Sequence, residues 1–132
     1  MKIWAGAVVA VIGGFASQAS AQSGDSAKGQ RVFNQQCRAC HTLEKDGAQT
    51  AGPNLHGVFG RKAGTAPGYE FSEAMKKSGI VWDDKSLARF LADPMTVVPG
   101  TSMTYLGVTD PREREALVAY MRQATKECKL AR

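Results

Sequence analysis

Two cysteines and a histidine form the group of residues in this sequence whose spacing is best suited to chemistry. Cys37 and Cys40 are separated by two residues, and His41 follows directly. In a helical turn, this spacing lets both thiols reach the vinyl groups at one edge of a porphyrin, while the next imidazole points at the iron. The motif therefore predicts one haem c, bound covalently through Cys37 and Cys40, with His41 as the proximal iron ligand.

Other uses of a C-x-x-C pair fit this sequence less well. The two cysteines could form a disulfide in an oxidising compartment, or supply half of a zinc site. No second cluster of Cys or His completes a tetrahedral zinc site, because only Cys128 and His56 remain. A thioredoxin-like motif needs alternating strands and helices around it, and the sequence lacks that pattern.

A sixth iron ligand has to come from the far side of the porphyrin, and a methionine thioether is a common choice. Met103 follows a rigid Pro-Gly turn and is well separated in sequence from His41. Met75, Met95 and Met121 are rivals, although their positions suggest a helix end, a short turn and a helix core. Methionine is more often a gap-filling core residue than a ligand, so spacing alone leaves the choice open, with Met103 preferred.

The N-terminal segment has the features of a secretory signal peptide. A lysine precedes an apolar run over residues 3–15, and small residues at 19–21 form a cleavage site. A membrane anchor is the alternative, but two glycines interrupt the run, which is shorter than the roughly 20 residues that span a bilayer. We expect export to the periplasm, removal of residues 1–21, and one domain over residues 22–132.

Few segments have helical periodicity, and glycine-rich stretches separate them. A first helix is expected to begin with Asp25 or Ser26 as its N-cap and to lead into the haem motif. The expected helical segments are residues 26–36, residues 84–92 and the stretch after Asp110 and Pro111, with a short turn at 95–98. The long loop over residues 41–72 would count against a compact domain, but a buried haem provides a core for it to wrap.

These motifs, taken in order, resemble those of class I c-type cytochromes of the mitochondrial cytochrome c and bacterial cytochrome c2 type. The resemblance covers essentially the whole chain after residue 21. Each motif alone is modest, but their order and spacing together are specific. The matching segments are CRACHT (37–42), GPNLHG (52–57), FGRKAG (59–64), SGIVW (78–82), PGTSM (99–103) and the pair Ala119 and Tyr120.

The resemblance implies the all-α cytochrome c fold, with a few short helices and long loops around one covalent haem. Its first and last helices cross near Gly29 and Tyr120, where glycine lets the backbones approach. His41 and Met103 take the two axial positions on the iron. The implied activity is electron transfer, without catalysis on a substrate.

The resemblance also assigns roles around the haem. The backbone carbonyl of Pro53 accepts the ring N–H of His41 and so fixes its tautomer. Arg61 and Trp82 correspond to residues that bond a haem propionate. Thr101 corresponds to one that bonds near the propionates and the methionine loop.

Two phenylalanines depart from the family pattern. Phe71 stands where relatives have a tyrosine that bonds a propionate, and Phe90 where they have a tyrosine that bonds the methionine sulfur. A hydrogen bond to a charged group contributes about 1.5–3 kcal/mol. We therefore expect the bond from Met103 to the iron to be less constrained in this chain.

The charge pattern departs as well, although the formal net charge is +5. Relatives surround the exposed haem edge with lysines that steer them to acidic docking faces. Several of those positions carry neutral residues instead: Gln36, Ala48, Thr50, Met95, Thr96 and Ser102. We expect a more neutral, apolar docking patch around Met95, Ser102 and Tyr105, and an association that depends less on salt.

The expected function is that of a soluble periplasmic carrier of single electrons, from a dehydrogenase or bc1-type donor to a terminal oxidase. The alternatives are a haem subunit of a periplasmic oxidoreductase and a haem sensor with a labile sixth ligand. We expect a monomer with no membrane span and no nucleic-acid partner. Cys128 is expected to be a free thiol, with an intermolecular disulfide as the alternative.

Overall fold

A computed structural model of the chain describes residues 19–126, with side chains from residue 25 onward. This part of the chain contains helices and one isolated antiparallel bridge, between Lys62 and Val81, so the all-α prediction is confirmed. The helices are α1 (Ala19–Gln36), α2 (Glu73–Lys77), α3 (Asp84–Ala92), α4 (Pro94–Val97) and α5 (Pro111–Ala124). None of these helices is both long enough and apolar enough to cross a membrane. Most of the expected signal peptide, and Cys128, lie outside the described residues.

Capping residues set the first residues of α3 and α5, which the sequence predicted correctly. The Asp83 carboxylate accepts a hydrogen bond from the Ser86 amide at 2.7 Å, and the Ser86 hydroxyl accepts one from the Asp83 amide at 2.8 Å. This reciprocal pair starts α3 at the predicted residue. Asp110 caps α5 in a similar way, accepting from the Arg112 amide at 2.8 Å ahead of a proline in the first turn.

The structure differs from the sequence prediction at three helices. Helix α1 begins at Ala19 rather than at Ser26, because the preceding residues include alanine and glutamine, which favour helix. Helix α4 begins one residue early, because Asp93 accepts a hydrogen bond from the Thr96 amide at 3.1 Å and so caps it. Met75 is a buried residue inside α2, which Ser72 caps, and not a helix end.

Helices α1 and α5 cross almost in backbone contact. A Cβ added to Gly29 would overlap the carbonyl oxygen of Ala116 and lie 2.6 Å from the Cβ of Tyr120. The predicted crossing near Gly29 and Tyr120 is therefore confirmed. The rings of Phe33 and Tyr120 pack beside it with centroids 6.0 Å apart. This crossing fixes the end of α1, from which the haem motif follows.

The long segment at 41–72 has no helix, as expected, and its only described ladder contact is the bridge at Lys62. Hydrogen bonds around this bridge tie the segment to the residues just before α3. The amide of Ala63 donates to the carbonyl of Ile80 at 2.8 Å, and that of Trp82 donates to the carbonyl of Arg61 at 3.0 Å. The loop is thereby folded back toward the helices and forms one wall of a cavity.

Candidate functional site

One cavity of about 290 Å3 collects residues from the haem motif, the long loop, the helices and the loop before α5. Its walls are mostly apolar, and its lining includes exposed residues, among them Gln36 at the end of α1 and Cys40. All eight residues that the sequence analysis placed around the haem line this cavity: Cys37, Cys40, His41, Pro53, Arg61, Trp82, Thr101 and Met103. Residues up to 66 positions apart in the sequence are therefore brought to one site by the fold.

The motif cysteines lie in a tight turn that continues α1. The amide of Cys37 donates to the carbonyl of Phe33 at 2.9 Å, and the amides of Cys40 and His41 donate to the carbonyl of Cys37 at 3.0 and 2.9 Å. Cys37 is buried and Cys40 is exposed, and the two do not form a disulfide with each other. Burial, with a smaller contribution from Cys40, raises the pKa of the Cys37 thiol to about 11.

The imidazole of His41 is held in one orientation. Its Nδ1 lies 2.8 Å from the carbonyl oxygen of Pro53, and because a carbonyl only accepts, Nδ1 carries the proton and donates it. The lone pair of Nε2 is then available to a metal ion. Burial lowers the pKa of His41, although the bond to Pro53 opposes this shift, and so the neutral form suited to metal binding is favoured.

Three of the four described methionines line the cavity. Met75 and Met121 do so from helices α2 and α5, where they are buried in the hydrophobic core. Met103 is half-buried on irregular backbone, and its amide donates to the Thr101 hydroxyl at 3.2 Å. Met95, which is 43% exposed, is the described methionine outside the cavity lining. The lining of the cavity therefore argues against Met95 as the sixth ligand and leaves Met75 and Met121 as alternatives to Met103.

Arg61 and Trp82 are neighbours at one wall of the cavity because their backbones are hydrogen-bonded to each other at 3.0 Å. The Arg61 guanidinium donates to the carbonyl of His56 at 3.2 Å, and burial lowers its pKa. A guanidinium is nevertheless protonated throughout the physiological range. Together with the neighbouring Lys62, it adds positive charge to a mostly apolar lining, which is suited to a carboxylate such as a haem propionate.

The two phenylalanines that replace tyrosines both line the cavity. Phe90 is buried, and its ring centroid lies 5.1 Å from that of Trp82. Phe71 is half-buried and contacts Tyr69 edge-on, with centroids 4.8 Å apart. Both side chains present only hydrocarbon to the cavity, at the two positions where the resemblance implied a tyrosine hydroxyl.

Sequence reasoning missed two features of the cavity mouth. Tyr105 donates a hydrogen bond to the side chain of Gln36 at 2.5 Å, and both residues line the cavity. Leu106, the next residue, has 85% of its surface exposed. The only sequence signal for either feature is an aromatic and an aliphatic residue, two and three residues after Met103 in a loop, and that signal is too weak to predict contacts.

The residues present fit a covalently bound haem. The cavity offers two thiols on one turn, an imidazole with a fixed tautomer, three thioether sulfurs, mostly apolar walls and two cationic side chains. By contrast, in the described part of the chain no three His, Cys, Asp or Glu side chains are grouped so that they could hold a metal ion. The zinc interpretation of the C-x-x-C pair therefore gains no further ligands from the fold.

Comparison with known proteins points to the same cofactor. Residues 26–125 match the family described as Cytochrome c. Cytochrome c of Nigella damascena is 40% identical over 110 residues, which cover 83% of this chain and 99% of that protein. Cytochrome c of Gibberella zeae is 43% identical over 103 residues, covering 78% and 97% respectively. That of Chlamydomonas reinhardtii is 42% identical over 107 residues, covering 81% and 96%. The chain is therefore a member of the cytochrome c family, a class I c-type cytochrome that carries haem c covalently through two cysteines.

Proposed function

We propose that this cytochrome is a soluble, monomeric carrier of single electrons in the periplasm, moving them from a dehydrogenase or bc1-type donor to a terminal oxidase. Family membership supports electron transfer as the activity. The observation that carries the proposal is that His41 and Met103 line the same cavity as both motif cysteines. Two protein ligands leave no open iron position for a substrate, which suits a carrier better than an enzyme.

The chain's own residues would keep electron transfer fast. Bound haem c supplies an iron whose charge changes by one unit. The Pro53 carbonyl holds the imidazole of His41 in place, so this ligand need not reorient when the charge changes. Apolar side chains such as Leu87, Phe90 and Leu91 line the cavity and are buried, which limits the water that would have to reorganise.

Electrons would leave at the mouth of the cavity, beside Cys40. Cys40 is exposed, as are Gln36, Ser102 and Thr104, which also line the cavity. This neutral rim extends to the exposed Leu106. At these uncharged side chains a partner can approach the haem edge without desolvating a charge, which is costly to bury. Among the described exposed residues that line the cavity, Lys62 is the one that carries a charge.

Export is proposed from the N-terminal sequence alone. Its apolar run and small residues at 19–21 support cleavage after Ala21. Cleavage there would shorten α1, which begins at Ala19, by its first three residues and leave Gly29 and the crossing with α5 untouched. Sequencing the N-terminus of the protein recovered from the periplasm of an expressing bacterium tests this directly, and an intact Met1 would contradict it.

The experiment that tests the carrier function is a redox titration of the mature protein, produced with a cytochrome maturation system. The ferric spectrum is expected to show the sulfur-to-iron charge-transfer band at its red end, and the midpoint potential is expected to be clearly positive. Absence of the band, a low potential and ready binding of carbon monoxide would instead indicate a sensor or haem enzyme. Co-purification with an oxidoreductase from the native host would indicate a complex subunit.

A further inference from the structure

A hydrogen bond joins two distant parts of the chain across the cavity mouth. The hydroxyl of Tyr105 donates to Oε1 of Gln36 at 2.5 Å, and the two residues are 69 positions apart. Gln36 is the last residue of α1 and directly precedes Cys37. Tyr105 lies two residues after Met103. The bond therefore links the methionine loop to the helix that carries the cysteine attachment.

The loop around Met103 is anchored firmly at both ends. At its start, the amide of Thr101 donates to the carbonyl of Val98 at 3.0 Å. At its end, the amide of Val108 donates to the carbonyl of Leu91 at 2.8 Å. A Cβ on Gly107 would meet the backbone of Ala92, so this end also packs closely on α3.

Between these anchors, the hydrogen bonds remain inside the loop. The amide of Thr104 donates to the carbonyl of Ser102 at 3.1 Å, and that of Tyr105 donates to the carbonyl of Met103 at 3.0 Å. Within residues 19–126, the bond from Tyr105 to Gln36 is the one hydrogen bond that ties residues 102–106 to another part of the chain. The position of the loop's centre thus depends strongly on this side-chain pair.

We propose that Tyr105 and Gln36 form a latch that holds the methionine loop closed and so limits how often Met103 leaves the iron. The inference rests on the proposed ligation by Met103. Tyr105 and Gln36 are positioning residues, since neither is an iron ligand. Breaking one hydrogen bond of ordinary strength is expected to raise the open population of the loop roughly two- to tenfold.

The test measures how fast imidazole displaces Met103 from the ferric holoprotein, because an external ligand binds only when the loop opens. Tyr105→Phe and Gln36→Leu are each expected to speed imidazole binding roughly two- to tenfold. The double variant should be no faster than the faster single variant, because both remove the same bond. Gln36→Glu keeps an acceptor for the tyrosine hydroxyl and should bind imidazole as slowly as the parent protein.

A matched control and a second measurement separate the latch from general destabilisation. Tyr69→Phe also removes a tyrosine hydroxyl, one that donates to the carbonyl of Ala51 at 2.8 Å outside the methionine loop. Its imidazole rate should stay close to that of the parent. Urea unfolding of each holoprotein should show that the rates do not follow global stability. Unchanged rates in both single variants, additive effects in the double variant, or equal acceleration by Tyr69→Phe would each overturn the latch.

The ferric spectrum of the wild-type protein distinguishes failure of the latch from failure of the proposed function. A ferric protein with the red-end band but with unaltered kinetics in the variants would retain Met103 ligation and refute only the latch. A wild-type protein without the band would refute Met103 ligation, and the latch with it.

Discussion

The ring of His41 lies directly against the α-carbon of Gly52. A Cβ at this position would overlap Cε1 of the ring and lie 2.7 Å from Nδ1 and 2.9 Å from the carbonyl oxygen of Cys40. Because Gly52 has no side chain, the next residue, Pro53, can bring its carbonyl to 2.8 Å from His41. The orientation of the His41 ring thus depends on the absence of one methyl group.

Gly52→Ala is therefore expected to displace the imidazole and weaken its bond to Pro53. Overpacking of this kind costs about 1–3 kcal/mol, so urea unfolding of the holoprotein should show a loss of that order. The yield of haem-loaded protein should fall as well. Gly57→Asn is the control, since nothing lies within 4 Å of its added Cβ and asparagine tolerates its φ of 69°. An unchanged yield and stability for Gly52→Ala would show that the ring can move aside freely.

Met103→Leu is expected to abolish the red-end band of the ferric spectrum, because leucine has no sulfur to bind the iron. Met75→Leu and Met121→Leu conserve volume at core positions and should keep the band, at a cost below about 1.5 kcal/mol of stability each. Absorption spectra of the three ferric variants decide among the methionines that line the cavity. Loss of the band in either core variant, with its retention in Met103→Leu, would reassign the ligand.

Phe90→Tyr restores a hydroxyl at the buried position next to Trp82. If that hydroxyl reaches the Met103 sulfur, it should slow ligand exchange at alkaline pH and shift the midpoint potential. If it finds no partner, burying it costs about 1–3 kcal/mol. Stopped-flow pH jumps measure the ligand exchange, and a redox titration measures the midpoint potential. No change in either exchange or potential would sink the hypothesis that the Met103 bond is less constrained in this chain.

The neutral rim predicts that reaction with a partner depends little on salt. The rate at which a purified terminal oxidase oxidises the protein should change little between about 0.01 M and 1 M salt, over which the Debye length falls from about 30 to 3 Å. Leu106→Lys adds a charge at the rim and should make the rate salt-dependent.

Val81→Lys is the matched control for Leu106→Lys, since Val81 is also an exposed aliphatic residue but lies in the antiparallel bridge with Lys62, outside the loop that follows Met103. Its salt dependence should remain that of the parent protein. A steep decline of the parent's rate with salt would contradict the neutral-rim prediction. Equal effects of the two lysine variants would show that net charge, rather than the rim, controls association.

Short-range sequence signals correctly predicted where two of the helices begin. Asp83 and Asp110 begin α3 and α5 as expected, because an N-cap acts on amides only two or three residues away. The predicted start of α1 was wrong. Asp25 is equally compatible with an N-cap and with the interior of a helix, and the residues before it continue the helix. The periplasmic export signal stays a prediction from sequence.

The sequence by itself determined the covalent chemistry. Cys37, Cys40 and His41 are close along the chain, so their spacing within one turn fixes what they can bind whatever the rest of the protein does. Only the tertiary structure decided which methionines line the cavity, that Gly52 makes room for the ring of His41, and that Tyr105 bonds Gln36. Gly52, Met103 and Tyr105 lie in irregular segments, and loops carry no periodicity from which a partner elsewhere in the molecule can be read.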